Sequence, residues 1–325
     1  MSVRSGIICA GNWIVDIVHD IPAWPAKSDL VVISNECVGM GGGAANVAFN
    51  LAALQTGYCV LPMGALGQDE HGSSAIKACV DVGLPTHGLL QLEGISTAHT
   101  HVMNVPGDSR TFFYCAGANQ HFGPATVSIN ALYKQTPRIF YLGYLNLLPQ
   151  LDEVHADGRT GAANLLGQAS ALGMETCVDL VSSHSKDYAQ TVFATLPEVD
   201  WLFLNEVEAA RATNIEIVGE TDRENMKSSA EKLLQGGLRK GCILHTPQLT
   251  LWKTHDEELW FGVEQIPNSK IISAVGAGDA FAAGVLHGLH ENWSPKDSVE
   301  LGNKMAAACL RAPTATGGTP KLSQL

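Results

Sequence analysis

Charge is scarce in this chain and nowhere concentrated. Asp, Glu, Lys and Arg together make up 16 % of its 325 residues. No basic run occurs, and no interleaving of basic with aromatic residues, which argues against nucleic acid as a partner. The formal net charge of -12 points the same way. It leaves nucleotides open, because phosphates are held by helix ends and Mg2+. Also missing is an apolar run long enough to span a membrane. The first such stretch is broken by Asn12 and Asp16 and lacks the form of a signal peptide, so a cytoplasmic protein with no membrane contact is expected. The eight cysteines (Cys9, Cys37, Cys59, Cys79, Cys115, Cys177, Cys242 and Cys309) form no C-x-x-C pair and have no His at zinc spacing. They read as reduced, mostly buried thiols rather than a disulfide or metal framework. Internal repeats and low-complexity tracts are absent as well.

What is abundant is apolar residue and glycine: 46 % hydrophobic, with 33 glycines. That composition suits an α/β enzyme with many tight strand–helix turns. Ile7–Ala10 reads as a short buried strand. Residues 14–38, with Pro22 and Pro25 among apolar pairs, read as short exposed strands and turns. Thr97–Val102 alternates, Pro106-Gly107-Asp108 turns, and Arg110–Tyr114 returns, which is a hairpin. Together with 14–38 it is expected to form a small sheet apart from the main body. His99 and His101 share a strand face and read as surface residues, since no third metal ligand accompanies them. From Ile139 onward strands (139–142, 175–180, 201–204, 242–245) alternate with helical segments (near 159–172, 185–196, 206–213, 223–235). That rhythm implies a mostly parallel sheet with helices on both faces and ligands at the carboxyl ends of its strands.

Three glycine- or carboxylate-bearing turns carry the candidate chemistry. In Ile271–Phe281 an apolar pair resembling a strand end precedes Gly276-Ala277-Gly278-Asp279, and a helix then starts with Phe281, Val285, Leu286 and Leu289 at helical spacing. A helix start offers free N–H groups and a positive dipole end to an anion. A carboxylate beside a phosphate would repel it, so Asp279 needs a further purpose, such as taking the proton of an attacking hydroxyl. The plainer reading, a glycine turn with an Asp near a helix start, is common. In Gly39–Leu51 a glycine cluster opens a helix with Val47, Leu51 and Leu54 on its apolar face. Gly39-x-Gly41-x-x-Ala44 formally fits a dinucleotide fingerprint, but no acidic residue follows about twenty positions on to hold a ribose. The alternatives are a turn presenting backbone and Asn46 to a small polar ligand, or close strand–helix packing. Asn205 ends a strand with Glu208 one helical turn later, either as ligands on one face or as a helix cap.

Taken together, Gly41–Asn46 with Gly64–Gly72, Arg110-Thr111-Phe112-Phe113 leading to Gly117-Ala118-Asn119, Asn205-Glu206-Val207-Glu208 and Gly276–Asp279 resemble, in order and spacing, the ribokinase-like (PfkB) carbohydrate kinase family over nearly the whole chain. The resemblance implies one ribokinase-like α/β kinase domain over 1–325, its central sheet joined by a small β-sheet lid from about 14–38 and 97–119. It implies an ATP-dependent kinase phosphorylating a primary hydroxyl of a small sugar. Asp279 would be the base, and Gly276, Ala277 and Gly278 the anion hole. Asp16, Gly42, Gly43 and Asn46 would hold the sugar hydroxyls, with Asn12, Arg110 and Asn119 beside them. Asn205, Thr246 and Asn303 would contact the nucleotide, and Glu208 would reach Mg2+ through water. Two departures stand out. Ser273-Ala274-Val275 replace the family's usual Asp-Thr, whose Asp supports a monovalent cation, so strong potassium activation is not expected. Thr246-Pro247-Gln248-Leu249-Thr250 replaces a glycine-containing nucleotide loop. A nucleoside kinase is the alternative within the family, favoured if Phe112, Phe113 or Tyr114 forms a stacking wall. A non-catalytic sugar-binding homologue and a nicotinamide oxidoreductase are more distant. A homodimer through the lid is a further expectation.

Overall fold

The computed structural model describes residues 4–105, 110–124, 126, 128, 129, 132 and 134–325; the Pro106–Asp108 turn lies outside them. A nine-stranded sheet carries the main body. Its strands are β1 (Ile7–Gly11), β4 (Val60–Gly67), β5 (Leu89–Leu92), β8 (Ile139–Leu145), β9 (Glu175–Leu180), β10 (Trp201–Asn205), β11 (Gly241–His245), β12 (Leu249–Thr254) and β13 (Glu258–Gly262), in the spatial order β13-β12-β11-β10-β9-β8-β1-β4-β5. Pairing is parallel from β11 to β5 and antiparallel only at the β12 and β13 edge. Chain order reverses direction between β1 and β8, which makes a crevice at their carboxyl ends.

Strands buried on both sides explain the near-continuous apolar runs. Along β8, Ile139 and Tyr141 pack with α1 (Gly43–Leu54), α8 (Ala277–Glu291) and α9 (Pro295–Cys309). Phe140 and Leu142 turn the other way, toward α4 (Gly161–Ala171), α5 (Tyr188–Thr195) and α7 (Arg223–Gln235). Truncating one of these side chains, Phe140→Ala for example, costs about 3–5 kcal/mol.

The second sheet has four strands in the order β3-β2-β6-β7: β3 (Asn35–Gly41), β2 (Ile14–Asp20), β6 (His99–Asn104) and β7 (Thr111–Cys115). It leaves the main body at the end of β1 and returns into α1, so it stands over the crevice. One face, with Asp16, Thr100, Phe112 and Tyr114, looks into that crevice. The other carries His19, His99 and His101, with His19 Nε2 2.9 Å from His101 Nδ1. Among the described residues no cluster of three ligand side chains could hold a metal. All eight cysteines are free, and five of them are buried.

Several elements differ from the sequence reading. Ile271-Ile272 is a loop, with Ile272 61 % exposed. Ile272 N donates to Leu310 O at 2.8 Å instead of to a strand. The short edge strand β5 was not foreseen. Helix α2 spans Glu70–Asp81, and Asp69 caps it by accepting from Gly72 N at 2.8 Å. Among the described residues no helix is long and apolar enough to cross a membrane.

Candidate active site

A cavity of about 820 Å³ follows the carboxyl ends of the central strands and is bounded above by the small sheet. At its centre α8 begins. Gly276 sits at φ 82°, a left-handed turn that side chains disfavour, and a Cβ there would stand 2.3 Å from Ala315 Cβ. Packing therefore accounts for Gly276. It does not account for Gly278, whose nearest neighbour to a built Cβ is His245 Cε1 at an ordinary 3.7 Å. Gly278 lines the cavity, so its missing side chain leaves room for a ligand against the helix start.

Asp279 lies in the first turn of α8 and is 5 % exposed. Its Oδ1 accepts from the Tyr144 hydroxyl at 2.6 Å and its Oδ2 from Asn46 Nδ2 at 2.8 Å. Burial pushes its carboxyl up to about 6. The two hydrogen bonds work against that rise, and the charge of Asp16 adds to it. A base titrating near there is ionised at neutral pH and able to accept a proton.

A Cβ on any glycine of Gly41–Gly43 would collide with its neighbours. A Cβ on Gly41 would fall 2.1 Å from Asp16 Oδ2, and one on Gly43 would fall 2.7 Å from the Tyr144 ring. Gly42, in the left-handed region at φ 89°, would meet the Asn12 carbonyl at 2.6 Å. Asp16 thereby reaches the cavity from β2. Burial raises its carboxyl to about 6, against a Thr100 hydrogen bond and the Arg110 charge. Asn46 is 3 % exposed, and its Oδ1 has no partner among the described residues. Leaving such an atom bare costs roughly 1–3 kcal/mol, so a ligand hydroxyl would find an acceptor waiting.

Further along, Asn205 and Glu208 form a complete capping box at the start of α6 (Glu206–Thr213). Glu208 N donates to Asn205 Oδ1 at 2.9 Å, and Asn205 N donates to Glu208 Oε2 at 2.8 Å. Both nonetheless line the cavity, so capping and ligand contact are compatible here. Burial pushes Glu208 up to about 7, partly offset by donors from Asn205 and Ser182.

The cavity thus gathers Asp16, Gly42, Asn46, Arg110, Asn205, Glu208, Gly276, Gly278 and Asp279. Other residues named from sequence stand behind it. Asn12 fixes the crevice, accepting from Tyr144 N at 2.7 Å and donating to Leu147 O at 3.2 Å. Asn119 accepts from Trp13 N and donates to the Tyr114 hydroxyl. Gly43 is packed against Tyr144, and Ala277 is the first residue of α8. Thr246 is buried in its own turn, donating to Glu220 O at 2.7 Å and accepting from Leu249 N at 2.9 Å. Asn303 lies on α9, away from the cavity lining.

Sequence reasoning missed Asp179, Tyr144 and His245. Asp179, next to last in β9, lines the cavity. Burial first, then the charges of Asp279 and Glu208, raise its carboxyl well above the usual range, and the Tyr141 hydroxyl donates to it at 3.0 Å. An acid near the carboxyl end of a strand of the parallel sheet was the available signal. Burial lowers His245 to about 4, so its ring is neutral beside Gly278.

Residues 7–322 match the pfkB family of carbohydrate kinases. A curated relative, adenosine kinase of Saccharomyces cerevisiae, is 21 % identical over 273 residues, 83 % of this chain and 77 % of that protein. Among solved structures, Arabidopsis thaliana ribokinase complexed with ribose and ATP superposes at TM-score 0.80 with 19 % identity, covering 99 % of this chain and 97 % of that one. Thermotoga maritima ribokinase gives 0.77 with 18 % identity over 99 % and 98 %. The fold is that of the ribokinases.

Proposed function

Because the chain belongs to the pfkB family of carbohydrate kinases, we propose that it transfers the γ-phosphate of ATP to a primary hydroxyl of a small sugar. The observation that carries this reading is Asp279. It is a buried carboxylate in the first turn of α8, beside an open glycine and the vacant acceptor Asn46 Oδ1, in one cavity with Asp16. In this reading the sugar hydroxyls bind Asp16 and Asn46, the attacking hydroxyl gives its proton to Asp279, and the Gly276–Gly278 amides receive the transferring phosphate. The small sheet acts as a lid that excludes water. Asn205 holds the nucleotide.

Mg2+ suits this donor set. Asp16, Asp179, Glu208 and Asp279 line the cavity, burial raises each of them, and Arg110 is the sole Lys or Arg among the described lining residues. Since no three carboxylates there converge for direct coordination, Glu208 and Asp179 would hold the ion through water. When bound it neutralises phosphate charge. A homodimer through the outer face of the small sheet, where Val38 and Phe113 are exposed, belongs to the same reading.

A nucleoside acceptor is the second reading, favoured by Phe112 and Tyr114 lining the cavity, whereas Phe113 points away from it. ADP release from Mg-ATP across pentoses, hexoses, sugar acids and nucleosides decides between them. Asp279→Asn should cut the productive rate by about 10²–10⁴. Silence on every acceptor, or turnover that survives the substitution, would refute the reading or its base.

A further inference from the structure

The base does not stand alone, and the residue most tightly bound to it belongs to none of the motifs that point to a kinase. Tyr144, at the end of β8, is fixed at three points. Its backbone N–H donates to Asn12 Oδ1 at 2.7 Å. Its ring fills the space left by the missing side chain of Gly43. Its hydroxyl donates to Asp279 Oδ1 at 2.6 Å. Asn46 donates to the other oxygen. Each carboxylate oxygen therefore has one protein donor, and the remaining lone pairs are left for a ligand.

We propose that Tyr144 is a positioning residue for the base: with Asn46 it fixes the plane of the Asp279 carboxylate, and its O–H supports the ionised form in a site that otherwise opposes charge. The inference rests on the kinase reading for its catalytic meaning, though not for its physical test. The opposition to charge is visible in the groups facing Asp279. Asp16 looks in from β2, Asp179 from β9, Glu208 from α6 and Cys309 from α9, alongside the phenols Tyr141 and Tyr144 of β8 and the amide of Asn46 on α1. No cationic group contacts Asp279 among its described hydrogen-bond partners. A short O–H···O⁻ bond to a buried carboxylate is the strong, charge-assisted kind, so its loss should show. Tyr141, three residues earlier, holds Asp179 in the same manner at 3.0 Å. One strand thus supplies a phenol to each of two neighbouring acids.

Tyr144→Phe keeps the ring against Gly43 and removes only the donor. The direct measurement is the titration of Asp279 in protein labelled with 13C at the aspartate carboxyl carbons, its resonance identified by its loss in Asp279→Asn. The expected result is a midpoint higher by about 1 pH unit or more in Tyr144→Phe. The acid limb of kcat/KM should move up with it, and the rates should converge toward the parent's at high pH. Placing 2,3-difluorotyrosine at 144, a stronger donor of nearly the same shape, should move the midpoint down. An unmoved midpoint in both variants, or a uniform loss of rate with the acid limb in place, overturns the proposal and leaves Tyr144 a packing residue. A shifted midpoint in a protein that phosphorylates nothing would uphold the coupling and refute the kinase reading instead.

Discussion

Two aspartates open two helices in this molecule, and they are opposites. Asp69 caps α2 and accepts from Gly72 N at 2.8 Å, Thr97 N at 2.7 Å and the Thr97 hydroxyl at 2.6 Å. Burial alone would raise its carboxyl. The Thr97 hydroxyl, the Gly72 and Thr97 amides and the His71 charge outweigh that and hold it below the usual range. Asp279 opens α8 with one phenol and one amide side chain, no backbone N–H donor among the described residues, and a carboxyl raised to about 6. Asp69 is a clip between the β4–α2 turn and the approach to β6. Asp279 keeps lone pairs toward a cavity. Position at a helix start does not by itself distinguish these two acids; the donors around them do.

The largest test of this contrast is a pair of isosteric changes. Asp279→Asn should remove about 10²–10⁴ of the rate on whichever acceptor the panel identifies. Asp69→Asn should leave kcat per folded molecule unchanged while destabilising the fold at neutral pH by about 1–2 kcal/mol, read from urea denaturation. An Asp69 variant that loses turnover as heavily as the Asp279 variant, with its fold intact, would break the comparison.

A smaller effect lies in the pH dependence of stability, where the two acids should run in opposite directions. The Asp279 carboxyl titrates higher in the folded chain than in the unfolded one. Between its unfolded value and about 6 the native state binds more protons, so this group's contribution to stability is fully present below the unfolded value and is lost as pH rises through about 6. Asp69, held low in the folded chain, contributes stability above its unfolded value that is lost as pH falls. Without ligand, Asp279→Asn should therefore be more stable than the parent at pH 8, by roughly 3 kcal/mol at most, with the gain fading toward pH 4. Asp69→Asn should be less stable at pH 8 and converge on the parent in acid. Thermal melts of the three proteins across that range check both signs, and parallel curves would refute the pairing.

The contrast also marks where sequence stops being informative. Asp279, Gly276 and Gly278 stand together in one short stretch at a helix start, so their juxtaposition was legible. Asp16 was legible as a polar intrusion among Trp13, Ile14, Val15 and Ile17, and Asn205 with Glu208 through their helical spacing. The sheet and its partner sheet followed from strand rhythm. Tyr144 was not legible, and Asp179 only as an acid near the end of its strand, because each reaches the cavity through its place in the sheet. β8 pairs with β1 without a break, but its pairing with β9 shifts register between Gly143 and Leu145, and no local pattern encodes that shift. Thr246 is a different case. The resemblance implied a nucleotide contact, and the structure shows its hydroxyl donating to Glu220 O and accepting from Leu249 N.

The loops leading into the two helices differ in the same sense, and this yields the smallest expected effect. Before α2, Gly67 N is tied to the Thr97 hydroxyl at 2.9 Å, a neutral closure. Before α8, Ser273 accepts from Arg110 Nη1 at 2.8 Å and from Val275 N at 3.2 Å. That loop already has a guanidinium from the small sheet against it, and Ser273 offers no carboxylate to hold a second cation. Replacing potassium by tetramethylammonium at equal ionic strength should then change kcat/KM by no more than about fivefold, the effect of roughly 1 kcal/mol. Ser273→Asp supplies the missing charge, and it should either pair with Arg110 or make the rate respond to potassium. A parent enzyme that depends strongly on potassium would mean that backbone carbonyls of this loop suffice for the ion, and the serine would then say nothing about it.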